Sequence, residues 1–202
     1  FRVNEVDLAQ KGREFVVQGF DGEMRRDSEQ LIGRYDEILR ILKLIRDQEK
    51  RVLWLAGVAG MGKSYLLARV FMMSSESPKT DLVLAYRFRD GDTERCNRRS
   101  FLQFAIERLN AWEGVARESD IDVKRDKERS PLEQLSYLLS RVIEGRRVLF
   151  ILDGLDELAE RDRTFPETVI FRLDFPQVLW LCAGRLDRDL CDAFRPERAL
   201  HV

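Results

Sequence analysis

The chain has 202 residues, of which 44% are hydrophobic, and its 35 Lys and Arg residues nearly balance 36 Asp and Glu residues to give a formal net charge of −1. This length and composition fit one domain with a substantial core, and the near-neutral charge argues against recruitment of nucleic acid or anionic lipid by an overall field. No apolar run approaches the roughly 20 residues of a membrane span, and three cysteines without a CxxC pair favour a reducing, cytoplasmic compartment.

In chain order, the sequence begins with an unevenly patterned segment, residues 1–30, which we interpret as a lead-in or a linker from an upstream domain. From Tyr35 onward, apolar residues recur at helical spacing and predict a helix with one packed face. Four short apolar runs with β-branched or aromatic residues are typical of strands covered on both faces. These runs are VLWLA (52–56), LVLAYRF (82–88), VLFIL (148–152) and VLWLCA (178–183).

Helical patterns lie between these strands, over residues 63–73, 101–112 and 132–143. The second follows a predicted capping box, SFLQ, and the third follows SPLE, in which Ser130 is the cap and Pro131 the first helical residue. The alternation of strand and helix predicts a parallel sheet.

The sequence GVAGMGKS joins the first predicted strand to a predicted helix. In such a GxxxxGKS pattern, the glycines let consecutive N–H groups point inward, and the following helix adds its positive N-terminal end, so that the loop forms a cradle for polyphosphate. Lys63 would bridge the β- and γ-phosphates of ATP or ADP, and the Ser64 hydroxyl would ligate Mg²⁺. A chance glycine-rich turn is the alternative, and the strand–helix context argues against it. The candidate nucleotide-binding residues are Gly57, Val58, Ala59, Gly60, Met61, Gly62, Lys63, Ser64 and Tyr65.

A second motif, RRVLFILDGLDEL, ends the third predicted strand in Asp153. Ligands bind at the carboxyl edge of open parallel sheets, so Asp153 is the candidate to hold Mg²⁺. Asp156 and Glu157 follow three and four positions later, and either could orient or deprotonate an attacking water, with Glu157 the first choice. The alternative is that these acidic residues only begin a helix, where carboxylates suit the positive dipole end.

GVAGMGKS followed by LFILDGLDEL resembles the NACHT-type NTPases of the STAND class of signal-transduction ATPases, which are related to AAA+ proteins. In that family the metal-binding aspartate is followed by a small residue and then by two acidic residues, as Asp153 is here. Upstream, LIGRYDEILRIL resembles the segment that contacts adenine, which implies base-site roles for Ile32, Gly33 and Arg34.

Downstream, VLWLCAGR is similar to the family's fourth core strand, which ends in a sensor arginine. The resemblance therefore implies that Arg185 reads the γ-phosphate. The residues before it, Cys182, Ala183 and Gly184, depart from the Thr-Ser-Arg run that is more usual in the family. RALHV resembles the start of a fifth strand.

The resemblance covers residues 31–202 and implies an α/β fold: a three-layer P-loop NTPase core with a parallel sheet, in which an extra strand lies between the phosphate-loop strand and the Walker B strand. It also implies that this nucleotide-binding domain ends before the helical and winged-helix domains of such switches. The implied function is an ATP-binding, slowly hydrolysing switch in a larger signalling protein of the immune or defence kind. Activation by an unidentified ligand or protein would cause self-association.

Two other classes of function stay open at this point. One is an AAA+-like motor or loader that acts on nucleic acid or protein, and the other is a scaffold that binds nucleotide without hydrolysing it. The sequence DGLDEL favours the switch.

The segment RFRDGDTERCNRR contains five arginines and raises the alternatives of a nucleic-acid strip or an arginine finger, but its mixed charge favours a solvated loop. Nucleic acid is therefore not indicated as a partner.

Overall fold

A five-stranded parallel sheet organises the computed structural model, which describes residues 22–48, 50–76, 81–116, 129–185, 188–195 and 200–201. The strand order β2-β3-β4-β1-β5 confirms the prediction that the fourth strand lies between the first and the third. All four predicted strands form, with ends that agree to within one residue. The strands are β1 (Val52–Ala56), β2 (Asp81–Arg87), β3 (Arg147–Asp153), β4 (Val178–Gly184) and β5 (Leu200–His201).

Helices connect these strands, and none of those in the described residues is long and apolar enough to cross a bilayer. A short π-helix, Pro166–Ile170, precedes β4. The α-helices are α1 (residues 22–30), α2 (Tyr35–Asp47), α3 (Lys63–Ser75), α4 (Arg98–Ala111), α5 (Pro131–Ser140), α6 (Leu155–Ala159) and α7 (Arg188–Ala193).

The sheet is covered on both faces because successive strand residues point to opposite sides. On one face Phe150 and Trp180 stack with ring centroids 4.3 Å apart, in a core shared with α4 and α5. On the other face Leu53 and Ile151 pack with α2 and α3 in a separate core. The resulting three layers leave the carboxyl edge of the strands as the place where loops can meet a ligand.

The two predicted capping boxes have different outcomes. Ser130 and Glu133 form a reciprocal box at the start of α5, as predicted. The SFLQ prediction is wrong: α4 begins at Arg98, and the Asn97 side chain caps it by accepting a 2.8 Å hydrogen bond from the Ser100 amide. An asparagine at this position satisfies an otherwise unpaired first-turn amide, so it competes with the serine that follows.

Part of the predicted lead-in belongs to the packed structure. Residues 22–30 form α1, and Met24 on this helix is fully buried in the core that also contains α2 and α3. Ser28 is also buried, and its hydroxyl donates to the Arg25 carbonyl oxygen at 2.8 Å. The interpretation of residues 1–30 as a lead-in or linker therefore does not fit α1, whose Met24 packs in the core, while residues 1–21 fall outside the described part of the chain.

Candidate functional site

The glycine-rich loop lies between the carboxyl end of β1 and the N-terminus of α3, as its sequence predicts. Gly60 and Gly62 have φ angles of +81° and +77°, in the left-handed region that glycine enters without a steric penalty. These turns bring the chain directly into Lys63, the first residue of α3. The loop therefore ends at the positive pole of a 13-residue helix, which is the arrangement that binds anions.

Lys63 folds back over this loop. Its ammonium nitrogen donates to the carbonyl oxygens of Gly57, at 2.7 Å, and Val58, at 3.0 Å. Neither contact is to a carboxylate, so the positive charge of the ammonium group is not neutralised by them. A polyphosphate in the cradle would offer that charge a stronger, charge-assisted partner.

The predicted base-contacting segment is held against the same loop. Arg34 donates from Nη1 to the Met61 carbonyl oxygen at 2.7 Å and from Nε to Glu37 at 3.1 Å. It does so from a left-handed backbone conformation, with φ of +59°, which a non-glycine residue seldom adopts. Ile32, two residues earlier, is 92% exposed, so its side chain is open to a ligand beside the loop.

Asp153 is the last residue of β3 and is buried, with an exposed fraction of 5%. Its Oδ2 accepts a 2.9 Å hydrogen bond from Nε of Arg87, the register partner of Asp153 on β2. Asp153 ends β3 and Ser64 follows the loop after β1, so both lie at the carboxyl edge of the sheet, with β4 between their strands. Their carboxylate and hydroxyl oxygens are hard ligands that would suit a magnesium ion bound to phosphates.

The backbone geometry at position 154 explains why glycine follows Asp153. The φ angle of Gly154 is +77°, and a Cβ at this position would collide with the carbonyl oxygen of Phe88. The close approach arises because the Phe88 amide donates to the Asp153 carbonyl oxygen at 2.9 Å, which extends the pairing of β2 and β3 by one residue. Glycine at 154 thus allows the chain to turn into α6 immediately after the candidate metal ligand.

The two acidic residues of α6 reach in different directions. Asp156 pairs with Arg185, whose Nε lies 3.0 Å from Oδ2, so the predicted sensor arginine and one candidate acid contact each other at the end of β4. Glu157 accepts a hydrogen bond from the backbone amide of Asp90, in the segment after β2. Because β4 lies between β3 and β1, Asp156 lies on the phosphate-loop side and Glu157 on the β2 side.

The arginine-rich segment is less solvated than its mixed charge predicts. Arg87 is 11% exposed and pairs with Asp153, and Arg95 is 17% exposed and pairs with Glu23 of α1. Arg98 makes a bidentate contact with Asp162 at 2.8 and 2.7 Å. The prediction of a solvated loop is therefore wrong for these three arginines, because internal carboxylates compete with water for them.

Sequence reasoning missed Arg87 as part of this site. Its guanidinium lies between Asp153 and two acidic residues of α1: Nη2 donates to Asp27 at 2.7 Å, and Nη1 lies 3.5 Å from Glu23. Burial lowers the pKa of Arg87, but the carboxylates of Asp153 and Asp27 more than offset it, so the pKa lies above its usual value. The sequence signal that could have identified Arg87 was its position at the end of the second predicted strand, which pairs with the strand that ends in Asp153.

Together, the open parallel sheet, the phosphate loop after its β1 strand and the aspartate at the end of β3 define an AAA+-like P-loop nucleotide-binding fold. The chain belongs to the family described as Nephrocystin 3, N-terminal, whose model matches residues 37–183. The predicted resemblance to NACHT-type P-loop domains is thereby confirmed. No match was found among curated proteins.

Solved structures are similar to this chain at low sequence identity. The Orc1 protein of Aeropyrum pernix, in a complex with DNA, is 17% identical over 85% of this chain and 45% of its own, with a TM-score of 0.53. PCH-2 of C. elegans is 15% identical over 94% of this chain and 42% of its own, with a TM-score of 0.40. Drosophila ORC, bound to poly(dA/dT) DNA and Cdc6, is 13% identical over 99% of this chain and 33% of its own, with a TM-score of 0.32. The chain therefore spans less than half the length of each of these structures.

Proposed function

We propose that this domain binds ATP or ADP with Mg²⁺, hydrolyses ATP slowly, and acts as a nucleotide-dependent switch within a larger signalling protein. The single observation that carries the proposal is the phosphate loop, in which left-handed Gly60 and Gly62 lead into Lys63 at the N-terminus of α3. A loop of this geometry presents backbone N–H groups and a helix dipole to the same point, which suits a polyphosphate better than any neutral ligand.

The neighbouring residues support a nucleotide rather than a free phosphate. The large hydrophobic side chains that stay exposed in the described residues belong mainly to two segments, 32–39 and 58–65. These segments are linked by the hydrogen bond from Arg34 to Met61. Exposed apolar groups beside a phosphate cradle suit a nucleotide. Its adenine ring would cover Ile32 while its phosphates occupy the loop.

Each polar residue then has a distinct role. Lys63 would leave its contacts with the Gly57 and Val58 carbonyls and bind the β- and γ-phosphates. Ser64 and Asp153 would hold the magnesium ion. When bound, that ion supplies neutralisation of the charge on the phosphate oxygens.

The contacts of Asp156 and Glu157 support different roles for the two acids. Asp156 is engaged by the Arg185 guanidinium, which lies 3.0 Å from its Oδ2, so this carboxylate is already used to hold the arginine. Asp156 therefore orients Arg185 toward the γ-phosphate. Glu157, which pairs only with a backbone amide in the contacts described above, orients or deprotonates the attacking water.

The hydrogen bond between Glu157 and the Asp90 amide also supports slow hydrolysis. It holds the proposed base on the β2 side of the sheet, away from the phosphate loop that follows β1. A change in the segment after β2 would bring Glu157 nearer to a water at the phosphate loop. A site that has to rearrange before each turnover suits a switch better than a motor, and self-association of the activated protein would follow the ATP-bound state.

The test is to measure nucleotide affinity by calorimetry and phosphate release in the same preparation, with and without DNA. The proposal predicts binding of both ATP and ADP and a turnover that DNA does not stimulate. Absence of nucleotide binding would refute the assignment. Rapid turnover that rises with DNA would favour the motor instead.

A further inference from the structure

A network of ion pairs connects helix α1 to the candidate magnesium ligand. Arg87 is its centre, because one guanidinium group contacts Asp153 through Nε at 2.9 Å and Asp27 through Nη2 at 2.7 Å. Glu23, also on α1, lies 3.5 Å from Arg87 and accepts a 3.0 Å hydrogen bond from Arg95. A single planar group therefore bridges the site and the helix.

The network is sheltered from solvent. The exposed side-chain fractions are 11% for Arg87, 7% for Asp153, 22% for Asp27 and 18% for Glu23. Charges at this depth are screened less than surface pairs, so a change in one of them is felt by the others. The apolar anchor of α1, fully buried Met24, keeps the helix against the domain independently of the ion pairs.

The charges of the network are unequal. Asp92 pairs with Arg95, so the carboxylates of Glu23, Asp27, Asp92 and Asp153 face two guanidinium groups, an excess of two negative charges. Asp27 and Glu23 attract the same guanidinium that holds the candidate metal ligand. They thereby reduce the repulsion that Arg87 would otherwise exert on a cation at Asp153.

We infer that Arg87 is a positioning residue for Asp153 and that helix α1, through Asp27 and Glu23, sets how strongly magnesium strengthens nucleotide binding. The inference rests on the proposed function and extends it to a link between the site and the segment that precedes it. When a cation draws the Asp153 carboxylate, Arg87 is left to bind Asp27 and Glu23 more strongly. Magnesium binding and the docking of α1 therefore favour each other, because such coupling is reciprocal.

The test compares Asp27→Asn with a matched control, Asp81→Asn. Asp81 pairs with Arg147 at the opposite end of the same two strands, β2 and β3, so the control removes the same kind of ion pair away from the site. A fluorescent ADP analogue is titrated into each chain with magnesium and, separately, with a chelator. The dissociation constant measured with the chelator, divided by the dissociation constant measured with magnesium, gives the magnesium dependence.

We expect Asp27→Asn to reduce this ratio by about 5-fold or more, the lower end of typical couplings between sites. Its affinity for magnesium-free nucleotide stays at the parent value, which also shows that the variant is folded. Asp81→Asn keeps the parent ratio. An unchanged ratio in Asp27→Asn, or an equal change in Asp81→Asn, would overturn the inference, whereas a parent chain that binds no nucleotide in either condition would instead refute the proposed function.

A second measurement uses the parent chain alone. Hydrogen exchange of the α1 amides is compared in nucleotide with chelator and in nucleotide with magnesium. The inference predicts slower exchange over residues 22–30 when magnesium is present. Exchange that is unchanged or faster would contradict it.

Discussion

Arg87 and Asp153 are register partners at the carboxyl ends of β2 and β3, and Nε of the arginine lies 2.9 Å from Oδ2 of the aspartate. At the other end of the same strands Arg147 contacts Asp81 at 2.5 Å with the charges exchanged between the strands. Only the pair at the carboxyl ends lies at the edge where parallel sheets bind ligands. Comparing variants of the two pairs therefore distinguishes an effect on strand pairing, which both pairs would show, from an effect on ligand binding, which only the pair at the carboxyl ends would show.

Replacing Asp153 by asparagine should weaken nucleotide binding only when magnesium is present. The amide keeps the shape of the side chain but loses the charge that attracts the metal. We expect the affinity for magnesium-free ADP to stay near the parent value, as measured by calorimetry with a chelator. Asp174→Asn is the control, because Asp174 pairs with Arg51 in an exposed contact away from the site. An equal loss in both magnesium conditions would contradict a metal role for Asp153.

Gly154→Ala should destabilise the fold by about 2–5 kcal/mol. A left-handed alanine costs roughly 1–2 kcal/mol, and the collision with the Phe88 carbonyl adds an overpacking cost of about 1–3 kcal/mol. Gly145→Ala is the control, since Gly145 has a similar φ of +79° but open space around its missing Cβ. Denaturant unfolding measures both. Equal losses in the two variants would show that the approach to Phe88 is not a constraint.

Met24→Ala tests whether α1 is an integral part of the domain. Met24 is fully buried, so we expect a loss of about 2–5 kcal/mol in the free energy of unfolding. Met73→Ala, at a 36% exposed position on α3, should change stability by about 0.5 kcal/mol or less. If both variants unfold at the parent denaturant concentration, α1 does not contribute to the folded core.

The strands and the phosphate loop could be predicted from sequence because each depends on a local pattern. A run such as VLWLA carries its own burial signal, and GVAGMGKS carries its backbone requirement in its glycines. The sheet order came from the resemblance to NACHT-type NTPases, and the structure agrees with it.

The contacts of α1 and of the arginines could not be predicted in this way. Arg87 and Asp27 are 60 residues apart, and nothing in either local sequence indicates that they meet. Mixed charge predicts solvent exposure on average, but a carboxylate brought in by another element reverses that preference. The orientation of Glu157 toward the Asp90 amide likewise depends on how the segment after β2 folds.

The roles of the two acids after β3 are separable by kinetics. Glu157→Gln should leave nucleotide affinity unchanged and slow phosphate release by about 10²- to 10⁴-fold, the usual effect of losing a general base. Asp156→Asn and Arg185→Gln should change the rate of phosphate release to the same extent as each other, because each breaks the same 3.0 Å ion pair. Loss of turnover in Asp156→Asn together with normal turnover in Glu157→Gln would reverse the two assignments.

The central claim is that the loop before α3 binds a nucleotide through its phosphates, and the most direct measurement is calorimetric titration of Mg-ADP into Lys63→Ala. Lys43→Ala, an exposed lysine on α2, is the matched control. We predict that Lys63→Ala abolishes measurable binding because the phosphates lose the ammonium group at the helix N-terminus, while Lys43→Ala binds as the parent does. Equal affinity in Lys63→Ala and the parent would contradict the assignment of this loop as the phosphate site.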